Sequence, residues 1–246
     1  MVCRTAGFQY PVTMHTYRCQ GRRRVLAAAL GLAMLALGAP GLAQQRGVHP
    51  VSGRVFALPM GVQGAPWLDR REREAEENPD LAMRLINVPR GATVADIGAG
   101  SGYFTVRLAR AVGDTGRVYG VDIQPGMVVL LQQTLAREQL SNVTPVLGAV
   151  GDPKLPAGAL DLVLMVDVYH EFSQPQTMLQ RLKEALKPGG RLVLLEYRAE
   201  DPDVPILPDH KMTKAQVKLE VEHEGFVQQR VYDDLPRQHL IIFTKP

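Results

Sequence analysis

The sequence predicts an α/β fold: a mostly parallel, seven-stranded sheet with helices on both faces, finished by an antiparallel C-terminal hairpin strand. Three observations carry this expectation. From Trp67 onward, short apolar runs alternate with stretches of helical periodicity, the pattern of parallel strands under covering helices. A glycine turn, Gly98-Ala99-Gly100-Ser101-Gly102, separates the first such run from the helical stretch that follows. The last two strand candidates are only about six residues apart, too few for a parallel crossover, so they pair antiparallel.

Asp69 to Ile86 reads as a helix rich in Arg and Glu, with Leu81 and Leu85 on one face and Pro89-Arg90-Gly91 as its stop. Val94 to Ile97 is the first strand. Tyr103 to Val112 follows as a helix with Phe104, Leu108 and Ala111 on one stripe, ended by Gly113. Val118 to Val121 is the second strand, and Met127, Leu130, Leu131 and Leu135 mark the next helix face. Thr144 to Leu147 and Leu160 to Val166 are the third and fourth strands. Ser173 and Gln176 have the spacing of a capping box for a helix through Leu186, which Pro188-Gly189-Gly190 ends. Leu192 to Tyr197 is the fifth strand. Thr213 and Gln216 predict a second capping box, Val217 and Val221 share a face, and Gly225 stands at the C′ position. Val227 to Tyr232 and His239 to Phe243 complete the sheet.

The region before this domain divides in two. Residues 1–43 have the order of a secretory signal peptide: Arg22-Arg23-Arg24, an apolar run from Val25 to Leu37, a Gly-Pro break, and small residues Gly41 and Ala43 ahead of the expected cleavage. The apolar run is short for a membrane span, so the membrane enters only through export, and a periplasmic location is expected. Arg22-Arg23-Arg24-Val25-Leu26 resembles a twin-arginine signal, and the general secretory route stays open beside it. Met14 is an alternative start to Met1. Residues 44–66, with four glycines and three prolines, read as an irregular arm ahead of the domain at 67–246.

Composition is ordinary for a globular chain of 246 residues, 46% hydrophobic and 22% charged. The net charge of +3 belongs to the leader, which holds five arginines and no acid; without it 23 basic residues face 25 acidic ones. Such a domain lacks the cationic surface that nucleic acid demands. Both cysteines, Cys3 and Cys19, also lie in the leader, which excludes a thiol nucleophile or a cysteine metal site from the domain.

The chemistry gathers at Val94-Ala95-Asp96-Ile97-Gly98-Ala99-Gly100-Ser101-Gly102. Glycines there let the backbone turn tightly and approach a ligand, and the following helix offers free N–H groups to a negative end. Asp122 closes the second strand twenty residues beyond Gly102, where a carboxylate can accept both hydroxyls of a ribose. The string resembles the first motif of the class I methyltransferases that use S-adenosylmethionine (SAM), a Rossmann-like family. Dinucleotide enzymes instead space their glycines Gly-x-Gly-x-x-Gly without the preceding acid. Leu160-Asp161-Leu162-Val163 and Leu186-Lys187-Pro188-Gly189-Gly190-Arg191-Leu192 extend the likeness over most of residues 67–246.

The resemblance implies SAM as cofactor, bound by the turn with Gly98, Gly100 and Gly102, with Asp96 and Gly98 near its methionine part, Asp122 on the ribose and Ile123 on the adenine. Relatives carry a Gly-Asp pair after strand three, whereas this chain reads Gly148-Ala149-Val150-Gly151-Asp152. Either Asp152 reaches the adenine from a shifted loop, or the backbone of Ala149 and Val150 does. His170, with Tyr169, sits after strand four, and His170 is the candidate general base; the plainer alternative is a helix-edge histidine bonded to a loop. A metal role for His170, Glu171 and His210 finds no close ligand spacing, and no metal is expected. Trp67 and the run Arg70 to Glu77 form either a lid or a solvated helix face. Tyr103 either touches SAM or packs its helix, and Glu196 borders the substrate side or pairs with Arg198. The expected activity is methyl transfer to a small molecule or a protein side chain. A SAM-binding module without turnover is the second reading, and an NAD-dependent oxidoreductase the third. Acceptor and oligomeric state stay open.

Overall fold

The computed structural model describes residues 47–246; the expected signal peptide and residues 44–46 of the arm lie outside the described residues. Seven strands, β1 (Thr93–Ile97), β2 (Arg117–Asp122), β3 (Val143–Leu147), β4 (Leu160–Val166), β5 (Leu186–Tyr197), β6 (Val227–Tyr232) and β7 (Gln238–Thr244), form one sheet in the order β3-β2-β1-β4-β5-β7-β6. β1 to β5 are parallel, and β7 runs antiparallel between β5 and β6. The chain winds outward from β1 to β3 and then returns to the other side of β1 at β4. The carboxyl ends of β1 and β4 therefore flank the switch point where open α/β sheets bind ligands.

Alternation along the central strands explains why both faces are covered. Ala95, Ile97, Val163, Met165, Leu192 and Leu194 point to one core, which α6 (Pro175–Ala185) and α7 (Lys214–His223) close with Leu179, Leu182, Val217 and Val221. Val94, Leu162, Leu164, Val193 and Leu195 point to the other, closed by α3 (Pro79–Ile86) and α4 (Tyr103–Val112) through Ile86, Leu108 and Val112. α5 (Pro125–Arg137) packs against β2 and β3. Near-continuous apolar strands are what a sheet buried on both faces requires.

Several boundaries differ from the sequence reading. The helix expected over Asp69 to Ile86 is interrupted: α1 (Ala65–Leu68), α2 (Arg73–Glu77) and α3 are separate, with Asn78 in the left-handed region at φ 50° between the last two. Pro79 lacks an N–H and displaces the residue before it from helical geometry, and Asn78 turns this to use by capping Leu81 N–H at 3.2 Å. The Ser173/Gln176 capping box does not form. α6 starts at Pro175, whose missing N–H and preset φ begin a helix without a side-chain cap. The helix then ends at Ala185, and Leu186 already pairs with Leu160, so β5 begins six residues before the expected Leu192. The second capping box is present: Thr213 Oγ1 accepts from Gln216 N–H at 3.1 Å, and Gln216 Oε1 accepts from Thr213 N–H at 2.9 Å.

The described part of the arm belongs to the same compact unit as the sheet. Val48 and Val55 form an antiparallel bridge, and Arg54 lies buried with its guanidinium bidentate on Glu220 of α7, at 3.1 and 3.0 Å. A third donor of Arg54 reaches the His170 carbonyl at 2.9 Å, and Ala57 N–H reaches the same oxygen at 3.1 Å. The arm thus ends on the loop that follows β4.

Candidate active site

The glycine turn is pressed between neighbours. Gly98 has φ 72°, and a Cβ there would lie 2.4 Å from Val168 Cγ2. Its N–H and that of Ala99 both donate to the Val121 carbonyl, at 2.8 and 3.0 Å, which binds the turn to the end of β2. Gly100, at φ 53°, faces Leu68 Cδ1 of α1. Gly102 corrects the sequence reading: it is the N-cap of α4 at φ 100°, a Cβ on it would strike Leu131 Cδ1 at 2.7 Å, and it stays outside the cavity wall. Its absent side chain lets α4 pack closely on α5.

Two buried acids stand beside this turn. Asp122 accepts Gly100 N–H at 3.0 Å on Oδ2 and Gln124 N–H at 2.8 Å on Oδ1, leaving a lone pair on each oxygen for a hydroxyl. Burial raises its pKa against the lowering effect of these N–H groups. Asp96 accepts Thr105 Oγ1–H at 2.6 Å. Burial, and the charge of Asp122 after it, pushes Asp96 up to about 6 although Thr105 opposes the shift. Neighbouring carboxylates that resist ionisation are relieved by a cationic guest.

Both acids line a cavity of about 730 Å³, within the range of sites for small ligands and cofactors. Ile123, 43% exposed, borders it, as do Ala149 and Val150. At the third strand it is Ala149 and Val150, not Asp152, that border the cavity. Ala149 and Asp152 close a tight turn through Ala149 N–H to the Asp152 carbonyl at 2.8 Å, while the Asp152 carboxylate is exposed, caps Lys154 N–H and stays outside the cavity wall.

The opposite side is built on a 3-10 turn, Tyr169–Glu171, after β4. His170 lines the cavity but is almost wholly buried. Its Nδ1–H donates to Glu196 Oε2 at 2.6 Å, and its Nε2 lies 3.1 Å from His210 Nδ1. Burial disfavours the imidazolium, yet the Glu196 charge and hydrogen bond outweigh it and raise the His170 pKa. Glu196 therefore serves His170, while Arg198 turns to the backbone carbonyls of Asp233 and Leu235. Burial, then the nearby Glu196, pushes Glu171 up to about 7, with His170 opposing. His210 comes from a second 3-10 turn, Pro208–His210, and joins Glu171 in the cavity wall. Tyr169 corrects the catalytic expectation. Its side chain is fully buried in the core with α6 and α7, edge-on to Phe172, and does not reach the cavity.

The charged run before α3 is solvated only in part: Arg71, Glu72 and Glu74 are exposed. Arg73 and Glu77 are buried as an ion pair, with Arg73 Nε 3.0 and 2.9 Å from the two carboxylate oxygens and Nη2 2.7 Å from Oε2, and Tyr197 donates its hydroxyl to Glu77 at 2.9 Å. Trp67 lines the cavity with the Arg70 guanidinium 3.7 Å over its ring. Tyr103 lines it too, its hydroxyl on Glu74 at 2.8 Å. Asp167, at φ 49° and on the cavity wall, escaped sequence reasoning. Burial, then Glu77 and Glu196, raises it well above the ordinary carboxylate range, and Gln238 Nε2 donates to it at 2.6 Å. Its signal was its place at the end of β4.

In fold and in the layout of its site the chain is similar to Rossmann-like, SAM-dependent methyltransferases. Residues 94–190 match a family described as a methyltransferase domain. Demethylmenaquinone methyltransferase of Bacillus licheniformis is 32% identical over 117 residues, 48% of this chain and 50% of that one. The chain thus spans about half the length of the curated relatives it matches. A SAM-dependent methyltransferase structure from Aquifex aeolicus superposes with TM-score 0.73 at 25% identity, covering 76% of this chain and all of that one. Phosphoethanolamine N-methyltransferase 2 of Haemonchus contortus, in complex with SAM, shares the fold at TM-score 0.59 and 16% identity, covering 76% and 57%.

Proposed function

We propose that this protein transfers the methyl group of SAM to an apolar small-molecule acceptor held on the β4–β5 side of the cavity. The observation that carries the reading is the pair of buried acids, Asp96 and Asp122, at the glycine turn of one cavity. SAM offers what such a pair selects: a cationic sulfonium and ammonium together with a ribose diol. In this reading Asp122 accepts the ribose hydroxyls, Asp96 offsets the positive charge, and Ile123 with the backbone at Ala149 and Val150 forms the adenine wall. Bound SAM supplies a methyl carbon whose bond to sulfur breaks, its electrons passing to sulfur, as the acceptor's lone pair forms the new bond. The chain contributes chiefly position, holding acceptor and methyl in line. A proton released by an O–H, N–H or S–H acceptor is taken at the polar corner of His170, Glu171 and His210.

An apolar acceptor is favoured because Met60, Phe172, Ile206 and Leu207 share the wall with that corner. The relative from Bacillus licheniformis, named for a quinone acceptor, agrees with this. The test is incubation of the protein with methyl-labelled SAM and, separately, a lipid extract and a protein extract. Label entering the lipid fraction is expected. Label in protein alone overturns the acceptor class, and SAM binding without transfer to either returns the chain to a non-catalytic binding module. We also infer that the domain acts after export, in the periplasm; the support is the leader, with its arginines, apolar run and small residues at 41 and 43.

A further inference from the structure

We propose that the polar corner is a binding site for a zinc-class divalent metal ion, with His170 Nε2, His210 and Glu171 as its three ligands. The role of the ion rests on the methyl-transfer reading; the site itself does not. One ligand atom from each residue lies within 4.8 Å of the other two. His210 Nδ1 is 3.1 Å from His170 Nε2 and 3.9 Å from Glu171 Oε1. Two ligand atoms about 2.05 Å from a tetrahedral ion lie roughly 3.4 Å apart, so these separations bracket the needed spacing.

Two further features point to an ion. Glu196 is fully buried, accepts Nδ1–H of His170 at 2.6 Å, and is itself held by Tyr169 N–H at 3.1 Å. A carboxylate on the far nitrogen fixes the tautomer, aims the Nε2 lone pair at the ion and raises its basicity, the arrangement behind most metal-bound histidines. All three ligands also line the cavity. Two histidines and one carboxylate on an open wall form a three-ligand set with a vacant position, as in catalytic rather than structural zinc sites. Two nitrogen donors and one oxygen favour zinc-class ions over magnesium or calcium. All three side chains border the region assigned to the acceptor; with the ion bound, His170 Nε2 no longer takes a proton, and the ion would instead hold an acceptor oxygen or sulfur and ease the loss of its proton to solvent. Sequence spacing argued against this set, because His210 stands forty residues beyond His170 and reaches it only through the fold.

The experiment is calorimetric titration of the untagged, chelator-stripped full chain with Zn²⁺ in the absence of SAM, paired with visible absorption after Co²⁺ addition. One ion per chain is expected, with cobalt bands of low-symmetry coordination. His210→Ala and Glu171→Gln should each remove tight binding. Glu196→Gln, which touches no ion, should weaken it about 10- to 100-fold. SAM titration of each variant reports folding and stands apart from the metal result. Absence of stoichiometric zinc uptake by the unmodified chain, or undiminished uptake by the His210→Ala/Glu171→Gln double variant, overturns the site. Zinc uptake with no SAM binding would leave the site standing and remove the methyl-transfer reading instead.

Discussion

Asp96→Asn should make the folded protein more stable while making it a poorer receptor for SAM. Asp96 is 3% exposed, and burial pushes its pKa from 3.8 to about 6. At ~1.4 kcal/mol per pH unit, ionising it in the folded chain costs about 3 kcal/mol more than in the unfolded one. Below pH 3.8 the carboxyl is protonated in both states, and the substitution changes little. Between pH 3.8 and about 6 the unfolded chain releases this proton while the folded chain keeps it, and above about 6 the folded chain ionises too. The unmodified protein therefore loses stability relative to the variant across this window, with the full gap above pH 7. Asparagine keeps an oxygen for Thr105 Oγ1–H, and relaxation around it trims the gain to about 1–3 kcal/mol. Urea unfolding of both proteins at pH 4 and pH 7.5 measures the gap, and calorimetry with SAM should show affinity lower by about tenfold. A variant no more stable at pH 7.5 than the unmodified protein would refute the claim that Asp96 is a desolvated charge held for a cation.

Other substitutions probe separate parts of the account. His170→Ala should lower turnover by roughly 10²-fold or more while SAM affinity stays within a few-fold; equal losses in both quantities would assign His170 to folding alone. Gly98→Ala should destabilise by about 1–3 kcal/mol, since a Cβ at φ 72° meets Val168 Cγ2 at 2.4 Å. Adding Val168→Ala should recover the steric part of that loss and not the backbone part, as paired melting curves would register. The exported form should begin at Gln44, and N-terminal sequencing that finds residues upstream of Gly38 would contradict the cleavage.

The sheet was legible because its signals are local and repeated. Most strand cores from Val94 to Phe243 are apolar runs bounded by turn residues, the edge strand β6 with Gln228, Gln229 and Arg230 being the exception, and the short link before His239 fixes the hairpin. The glycine-turn side of the cavity was legible for the same reason: Asp96, the glycines and Asp122 sit on consecutive elements at set spacings. Gly102 fits that spacing yet serves helix packing, a distinction only the neighbouring Leu131 reveals. What stayed hidden depends on distant pairing. The burial of Glu77 depends on Tyr197, and the partners of His170, Glu196 and His210, come from β5 and a later turn. Tyr169 beside it failed as a catalytic candidate because adjacent residues on a 3-10 turn point in different directions. The capping box at Ser173 failed where the one at Thr213 succeeded, because Pro175 takes over the helix start.

The central claim is that Asp96, Asp122 and the glycine turn form a SAM site. Calorimetric titration of the full chain with SAM, with its demethylated product and with NAD, repeated on Asp122→Ala, tests this most directly. The account predicts one site per chain for SAM and for the product, none for NAD, and a loss of about 1–3 kcal/mol in SAM binding for the variant. Binding of NAD in place of SAM, or unchanged SAM affinity in a folded Asp122→Ala protein, would contradict it.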